Sequence, residues 1–390
     1  DVSDAISNTA TANVSVTNNA SLTGGTITLG TVAGDLFNFG SLTFNSAGAV
    51  SISEDSATTL AGTSTAGSLT LMSASAIDDG TTGDVSVTGA ASITATASTI
   101  TLGNNAGNNT NFGSTSLSGT TVSVSEDSAA TFDTVSATTL TYTAAGAIDD
   151  GTTGDVSVTG AASITAMASA ITLGDDAGND TNFGSLNFAG TVVAISEDSA
   201  TAFGATSTGT TITVNSAGAM TDAESDAANE ITGTSLTLTA VGGMGIAGTP
   251  IHVAVTSLDV SNSTGGGIFV TDTAGGLTLT DLGGPNGNAV DGVGGGGAIL
   301  ASSPLTIASD AITTSGMTYT ASDTGAGDHL TVNSGVTVEN TTGALVLNAG
   351  DNLNLNTGST VRALGGGGTL DLNLDAGDND GGGETANING

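Results

Sequence analysis

The sequence repeats itself with a long period, and this limits the folds that the chain can adopt. Residues 78–103 read DDGTTGDVSVTGAASITATASTITLG, and residues 149–174 read DDGTTGDVSVTGAASITAMASAITLG. A looser first copy places VSVT at 14–17, where the later copies place it at 85–88 and 156–159, so both steps have the same length. Self-similarity at a fixed period is typical of solenoids and other repeat architectures.

A shorter period lies inside the long one. Its marker is an apolar residue flanked by Ser or Thr, which recurs about every 24 residues. The markers of this spacing are Leu69, Ile93, Leu117, Leu140, Ile164, Leu186, Ile212, Leu236 and Leu258. Three short units make one 71-residue super-repeat, and about 16 units of roughly 24 residues would fill the chain.

The composition of one short unit predicts strands joined by turns. Segments such as VSVT, SIT and ITL alternate apolar and polar residues, and clusters of Gly, Asn, Asp or Ser separate them. One unit cannot bury its own inward Val, Ile and Leu, but stacked units can, because each strand pairs with its equivalent in the next coil. The sequence therefore predicts an all-β fold, a parallel β-helix or β-solenoid.

The predicted organisation changes along the chain. Residues 1–279 form the regular repeat solenoid, 280–372 a divergent, Gly-rich continuation, and 373–390 an acidic tail rich in Gly and Asn. The tail contains Asp375, Asp378, Asp380 and Glu384, which look like a calcium loop. They lack the spacing of an EF-hand, so a solvated acidic tail is the favoured interpretation.

The charge balance excludes several partners. The chain has 37 acidic residues and one basic residue, with a net charge of −36. It cannot neutralise a nucleic-acid backbone or bind an anionic membrane surface. No apolar run approaches the length that a membrane-spanning helix needs, so membrane insertion is not expected. The absence of Cys fits an exported bacterial protein without disulfides.

Motifs that could indicate an enzyme have simpler interpretations. The GxGxxG match at 243–248 precedes another strand rather than the helix that a dinucleotide site requires. The two histidines, His252 and His329, are interpreted as surface or turn residues. Pectinolytic β-helices generally use basic residues to bind acidic sugars, and this chain has only Arg362. We therefore predict that the chain is not an enzyme and binds no organic cofactor.

Two polar columns accompany the apolar markers. Ser or Thr stands on both sides of most markers, as in Ser68/Thr70 and Ser92/Thr94, and alternation places both hydroxyls outward. The resulting ladder resembles ice-binding solenoids, although outward Thr is also an ordinary strand residue. Residues 187 and 259 interrupt the ladder.

The second column is acidic and lies nine to eleven residues after each marker. Stacked corners would repel one another, and paired oxygen ligands suit a hard divalent cation such as calcium. Solvated turns are the competing interpretation. The candidate metal ligands are Asp78, Asp79, Glu126, Asp127, Asp149, Asp150, Asp175, Asp176, Glu197 and Asp198.

The order of these segments resembles a known class of repeats. LTLMSASAIDD at 69–79, DVSVTGAASITATASTITLG at 84–103 and NNTNFGSTSLSGTTVSVSED at 108–127 are similar to filamentous-haemagglutinin-like giant bacterial surface proteins, many of them secreted by two-partner systems. The resemblance covers about 5–279. It implies a right-handed parallel β-helix, export, and a role in adhesion, biofilms or surface layers.

Together these observations predict a non-catalytic structural shaft of a bacterial adhesin, surface filament or surface-layer protein, located outside the cell or on its surface. The alternative is a carbohydrate- or ice-binding solenoid module. The expected partners are copies of the chain stacked end to end, or the rest of a longer chain, and a host, surface or glycan ligand. Exposed strand edges at a solenoid end favour such stacking.

Overall fold

The computed structural model describes residues 4–292, 294–365, 367–374 and 385–388. The calcium-like loop at 375–384 lies outside the described residues. By internal contacts, the chain divides into two compact units, residues 1–184 and 185–390. We call them unit 1 and unit 2.

Unit 1 is built from strands of 2 to 17 residues, most of them separated by three to seven residues. Its strands are β1 Ala5–Ser7, β2 Asn13–Thr23, β3 Thr26–Leu29, β4 Leu36–Asn45, β5 Ala49–Glu54, β6 Thr58–Thr59, β7 Thr63–Ala66, β8 Ser68–Ser73, β9 Ile77–Asp78, β10 Asp84–Ala95, β11 Thr99–Leu102, β12 Thr110–Glu126, β13 Ala130–Ala144, β14 Ile148–Asp149, β15 Asp155–Ala166 and β16 Ala170–Leu173. The next strand, β17 Thr181–Ala189, contains residues of both units.

Unit 2 has the same character, with shorter strands towards its end. Its strands are β18 Val192–Glu197, β19 Thr201–Phe203, β20 Ser207–Thr208, β21 Thr211–Ser216, β22 Met220–Asp222, β23 Ile231–Thr232, β24 Ser235–Ala240, β25 Ile251–Ala254, β26 Ser257–Asn262, β27 Ile268–Asp272, β28 Leu277–Leu279, β29 Val290–Gly292, β30 Gly297–Ala301, β31 Leu305–Ile307, β32 Ala311–Thr313, β33 Met317–Ala321, β34 Leu330–Val332, β35 Thr337–Asn340, β36 Leu345–Asn348, β37 Leu353–Leu355, β38 Thr360–Ala363, β39 Leu370–Asn373 and β40 Ala386–Ile388. One 3₁₀ turn, Pro285–Gly287, precedes β29.

Strands pair in parallel with strands about one coil away in the sequence. In unit 1, β10 lies between β8 and β12, so that Ile93 stands between Leu71 and Leu117. In unit 2, β24 lies between β21 and β26, and Leu236 stands between Ile212 and Leu258. These ladders satisfy the backbone groups and stack apolar side chains on one another.

Alternation along each strand separates the core from the surface. In β10, Val85, Val87 and Ile93 are buried, whereas the intervening Ser86 and Ser92 are partly exposed. The largest side chains of unit 1 fill the same interior, and the rings of Phe132 and Tyr142 meet edge to face at 4.8 Å. The period-2 pattern therefore determines which residues form the core.

The predicted all-β, parallel β-solenoid is confirmed, and the two units together contain about 17 turns of about 22 residues. The right-handed winding stays a prediction. The predicted step from Leu117 to Leu140 is wrong, because Leu117 pairs with Val135 and Leu140 pairs with Val122. The coil in this part of unit 1 is therefore shorter than the predicted average of roughly 24 residues.

The outward hydroxyl ladder is in the predicted register in one place and shifted in another. Ser92 and Thr94 pair with Ser116 and Ser118, as the marker alignment requires. On the other side of β10, Thr94 instead pairs with Met72.

None of the helices among the described residues has the length and apolarity needed to span a bilayer. The domain boundaries predicted at 279 and 372 stay predictions.

Candidate functional site

The predicted acidic pairs do not present their two carboxylates to one side. Asp79, Asp150, Glu126 and Glu197 are buried, at 1 to 3% exposure. Their neighbours in sequence face outward or are partly exposed, because consecutive residues of an extended segment point to opposite sides. The exception is the pair formed by residues 175 and 176, of which both members are exposed.

Glu126 ends β12 and turns its carboxylate into the core of unit 1. One oxygen accepts a hydrogen bond from the backbone N–H of Phe112 at 2.8 Å, and the other accepts one from the Tyr142 hydroxyl at 2.5 Å. Burial raises the pKa of Glu126, while the bonds from Tyr142, Phe112 and Ser128 lower it. Glu126 thus connects both ends of β12 with β13.

Glu54 occupies the equivalent position at the end of β5. Its oxygens accept hydrogen bonds from the backbone N–H of Phe39 at 2.6 Å and from the Thr58 hydroxyl at 2.5 Å. Burial raises the pKa of Glu54 as well, and the hydrogen bonds from Thr58 and Phe39 oppose this. The two glutamates are therefore structural acceptors for backbone donors.

Asp79 and Asp150 are equivalent residues in the two closest copies. Each accepts a hydrogen bond from a glycine N–H one coil later, Gly103 at 2.6 Å and Gly174 at 2.7 Å. Burial raises the pKa of both carboxyls, and these backbone bonds lower it. The aspartates fix the corner where one coil passes into the next.

The outward members of the pairs bind nearby backbone. Asp78 and Asp149 each accept a hydrogen bond at 3.0 Å from the glycine N–H two residues later. Asp127 accepts one from Thr110 at 2.9 Å. These contacts match the competing interpretation of capped, solvated turns, and the proposed calcium column stays a prediction.

A different cluster brings three possible metal ligands together. Among the described residues, Asp222, Glu230 and His252 are the one group of three or more His, Asp or Glu side chains whose ligand atoms all lie within 4.8 Å of one another. All three belong to unit 2. We call this group the Asp–Glu–His cluster.

Local structure explains why these side chains converge. Asp222 ends β22, Glu230 directly precedes β23, and His252 lies in β25, which pairs with β23. Glu230 also binds His252 through the backbone, since its amide donates to the carbonyl of His252 at 2.9 Å and its carboxylate accepts from the N–H of His252. Neighbouring turns therefore position the three groups.

The cluster is mostly shielded from solvent. Asp222 is 8% and Glu230 2% exposed, and the His252 side chain is 13% exposed. Burial raises the pKa of Glu230 to about 7; the N–H of His252 lowers it, and the negative charges of Asp222 and Asp226 raise it further. The interpretation of His252 as a surface or turn residue is wrong, because it lies in a strand with its ring largely covered.

Sequence reasoning missed Glu230 and His252 as a pair. The available signal was their separation by one coil, which places them side by side in a stacked solenoid. His329 has a similar neighbour, with its Nδ1 3.8 Å from a carboxylate oxygen of Asp351. Its side chain is 38% exposed, and no third ligand of the described residues completes that pair.

Comparison with known proteins agrees with a repeat architecture. Two segments, 47–118 and 119–192, match a family described as repeats of unknown function (DUF5649). No curated protein and no solved structure shows significant similarity to the chain. Together with the stacked parallel strands, the match identifies a β-helix repeat protein. The narrower resemblance to filamentous haemagglutinins and two-partner secretion stays a proposal.

Proposed function

We propose that the chain is a non-catalytic structural shaft of a bacterial adhesin, surface filament or surface-layer protein, located outside the cell. The observation that carries the proposal is the residue-on-residue stacking within each unit. Ladders such as Leu71, Ile93 and Leu117 in unit 1 and Ile212, Leu236 and Leu258 in unit 2 bury the apolar faces along consecutive coils. A fold of this kind is extended by adding coils, which suits a spacer.

Buried hydrogen-bonded carboxylates add to this interpretation. In unit 1, Glu54 and Glu126 accept hydrogen bonds from a backbone N–H 15 and 14 residues earlier, and Asp79 and Asp150 accept one from a glycine N–H one coil later. Such contacts fix the register between coils, since leaving a buried acceptor unpaired costs about 1–3 kcal/mol. Fixed register is useful in a rod that has to hold a distant tip in place.

The functional experiment is surface labelling of the bacterium that makes the protein. Antibodies against this chain should label intact cells as strongly as permeabilised cells, and external protease should remove the signal. A cytoplasmic protein labelled in parallel controls for lysis. Labelling that appears only after permeabilisation would contradict the proposed location and role.

Deletion of residues 78–148 tests the shaft interpretation in the protein itself. The deletion joins Ile77 to Asp149 and so restores the Ile-Asp strand of β9, which pairs with Thr58-Thr59 on one side, while β14 pairs with Ile171-Thr172. We expect the shortened chain to fold as an all-β protein, to have a smaller hydrodynamic radius and to remain displayed on the cell surface. Loss of folding would contradict the idea that the super-repeat is an interchangeable spacer.

End-to-end stacking of copies, or continuation in a longer chain, remains part of the proposal. Parallel strands can template further pairing at an exposed edge. Sedimentation of the purified chain over a hundredfold concentration range tests self-stacking, because stacked copies should dissociate on dilution.

A further inference from the structure

We propose that Asp222, Glu230 and His252 form a binding site for one divalent transition-metal ion of the Zn²⁺ type. This goes beyond the shaft role and is independent of it. The three side chains come from two neighbouring turns of unit 2, so a bound ion would join those turns.

The ligand atoms of the three side chains converge on one point. The Nδ1 of His252 lies 3.8 Å from an oxygen of Glu230, and all three ligand atoms lie within 4.8 Å of one another. Zinc bonds of about 2.0–2.2 Å in tetrahedral geometry require ligand atoms roughly 3.3–3.6 Å apart. A shortening of the distances between ligand atoms by up to about 1.2–1.5 Å would therefore close the site around an ion.

The cluster contains an unsatisfied nitrogen. The Nδ1 of His252 is buried and has no hydrogen-bond partner among the described residues. Buried polar atoms are normally paired, so an exception requires an explanation, and an absent ion is one of the recognised explanations. The lone pair of a neutral imidazole is also the ligand that transition metals bind.

Backbone hydrogen bonds hold the two carboxylates of the cluster in place. Asp222 accepts backbone hydrogen bonds from residues 224 and 225 at 2.8 Å and from residue 226 at 3.0 Å. Glu230 accepts one from the N–H of His252. Ligating carboxylates are typically held by such outer contacts, which orient the remaining lone pairs. The two carboxylates are therefore held in position by the protein itself, without a bound ion.

Charge also favours a cation here. The carboxylates of Asp222 and Glu230 lie together with little solvent access, at 8% and 2% exposure. A divalent ion between them would offset the repulsion of the two negative charges. No Lys or Arg can do so, because the one basic residue of this type is Arg362, which binds Glu339.

The donor set selects the ion. Calcium takes six to eight oxygen ligands, whereas imidazole suits Zn²⁺, Cu²⁺, Fe²⁺ and Ni²⁺. One nitrogen and two carboxylates, with water completing the shell, fit the second group. The site is therefore distinct in chemistry from the acidic corners predicted to bind calcium.

The test is calorimetric titration of the EDTA-treated, dialysed full chain with ZnCl₂, with excess CaCl₂ present to occupy exposed carboxylates. We expect one saturable zinc site per chain. His252→Gln should weaken it at least tenfold, whereas His329→Gln should leave it unchanged. The second variant is a matched control, because it removes the other histidine, which also lies 3.8 Å from a carboxylate.

A further variant separates binding from folding. Glu230→Gln removes a ligand and a buried charge together, so the metal-free protein should stay folded by far-UV circular dichroism while zinc affinity falls at least tenfold. X-ray absorption of the zinc complex should show a single imidazole among oxygen ligands. The absence of a saturable site, equal binding by His252→Gln and wild type, or loss of binding in His329→Gln would overturn the proposal.

Discussion

Two equivalent regions of unit 1 each bury a glutamate carboxylate but bond it to different hydroxyl donors. Glu54 receives its hydroxyl hydrogen bond from Thr58, four residues later. Glu126 has Ala130 at that position and receives the bond from Tyr142 instead, where the earlier copy has Leu71. The buried carboxylate is kept and its donor is exchanged between a neighbour in the same turn and a residue of the next strand. These two copies therefore keep the buried glutamate and a hydroxyl bond to it, while the residue that donates the bond changes.

The third copy of this segment lies in unit 2, and at these positions its sequence has the same kinds of residue as the first copy. Glu197 is followed four residues later by Thr201, and Val214 stands where Tyr142 stood. Thr and an aliphatic residue therefore occur together, as do Ala and Tyr. The bond itself is not repeated, because the Thr201 hydroxyl oxygen has no hydrogen-bond partner among the described residues.

The largest expected effect comes from converting one copy into the other. Tyr142→Leu should lower the free energy of unfolding by about 3 kcal/mol or more, because it removes both buried ring volume and the hydroxyl bond to Glu126. Adding Ala130→Thr should restore about 1–2 kcal/mol of this loss. Urea unfolding of the single and double variants measures the coupling. Strictly additive effects would contradict the exchange of donors.

The two buried tyrosines provide a narrower comparison. The Tyr142 hydroxyl binds Glu126 at 2.5 Å, whereas the Tyr319 hydroxyl has no hydrogen-bond partner among the described residues. Tyr142→Phe should destabilise by about 1.5–3 kcal/mol, since the acceptor is a buried carboxylate. Tyr319→Phe should change stability by less than about 0.5 kcal/mol or increase it slightly. Similar losses in both variants would contradict a specific stabilising role of the hydroxyl bond to Glu126.

Lowering the pH should increase the unfolding free energy of both units, and Glu230 of unit 2 should add a contribution of its own. Burial raises the pKa values of Glu54, Asp79, Glu126 and Asp150 in unit 1 and of Glu230, Asp259 and Asp272 in unit 2. A carboxyl with a raised folded-state pKa binds protons more tightly when folded. Its stabilisation is complete below the unfolded pKa and is lost as pH rises through the folded pKa.

Unfolding free energy should therefore increase as pH falls from 8 to about 5, at constant ionic strength. Glu230, with a pKa of about 7, should contribute on the order of 1 kcal/mol after allowance for solvent screening. Glu230→Gln should remove the contribution of Glu230 to this pH dependence and leave the contributions of the other carboxyls unchanged. The pKa values of Asp35 and Asp328 are lowered, because hydrogen bonds outweigh burial. The stability that these two carboxylates contribute is lost as the pH falls below about 4. Greater stability at pH 8 than at pH 5.5 would contradict this account.

The smallest effect is expected at the outward ladder. The hydroxyl of Thr139 donates to that of Thr121 at 3.2 Å on the exposed face. Thr139→Val should change the free energy of unfolding by less than about 0.5 kcal/mol, because water replaces the lost bond and Val suits a strand equally well. A loss above about 1 kcal/mol in urea unfolding would assign the ladder a larger structural role than is usual for surface positions.

Much of the fold could be predicted because its signals are local. The alternation in VSVT identifies Val85 and Val87 as core residues, and the long period places equivalent residues in equivalent environments. The acidic pairs were also recognised, but the side each carboxylate faces was not. Asp78 and Asp79 look alike in the sequence, yet one caps a turn at the surface and the other is buried against Gly103.

The sequence by itself determined the strand-rich architecture and most of the inward and outward residues, because these depend on alternation within a few residues. It also determined the long repeat, because two copies of it are nearly identical. The tertiary structure alone decided the register between coils and the groups that meet there. A short coil pairs Leu117 with Val135 rather than Leu140, and variable coil lengths of this kind shift every contact along the ladder. Asp222, Glu230 and His252 converge for the same reason, since their meeting depends on how neighbouring turns align rather than on any local pattern.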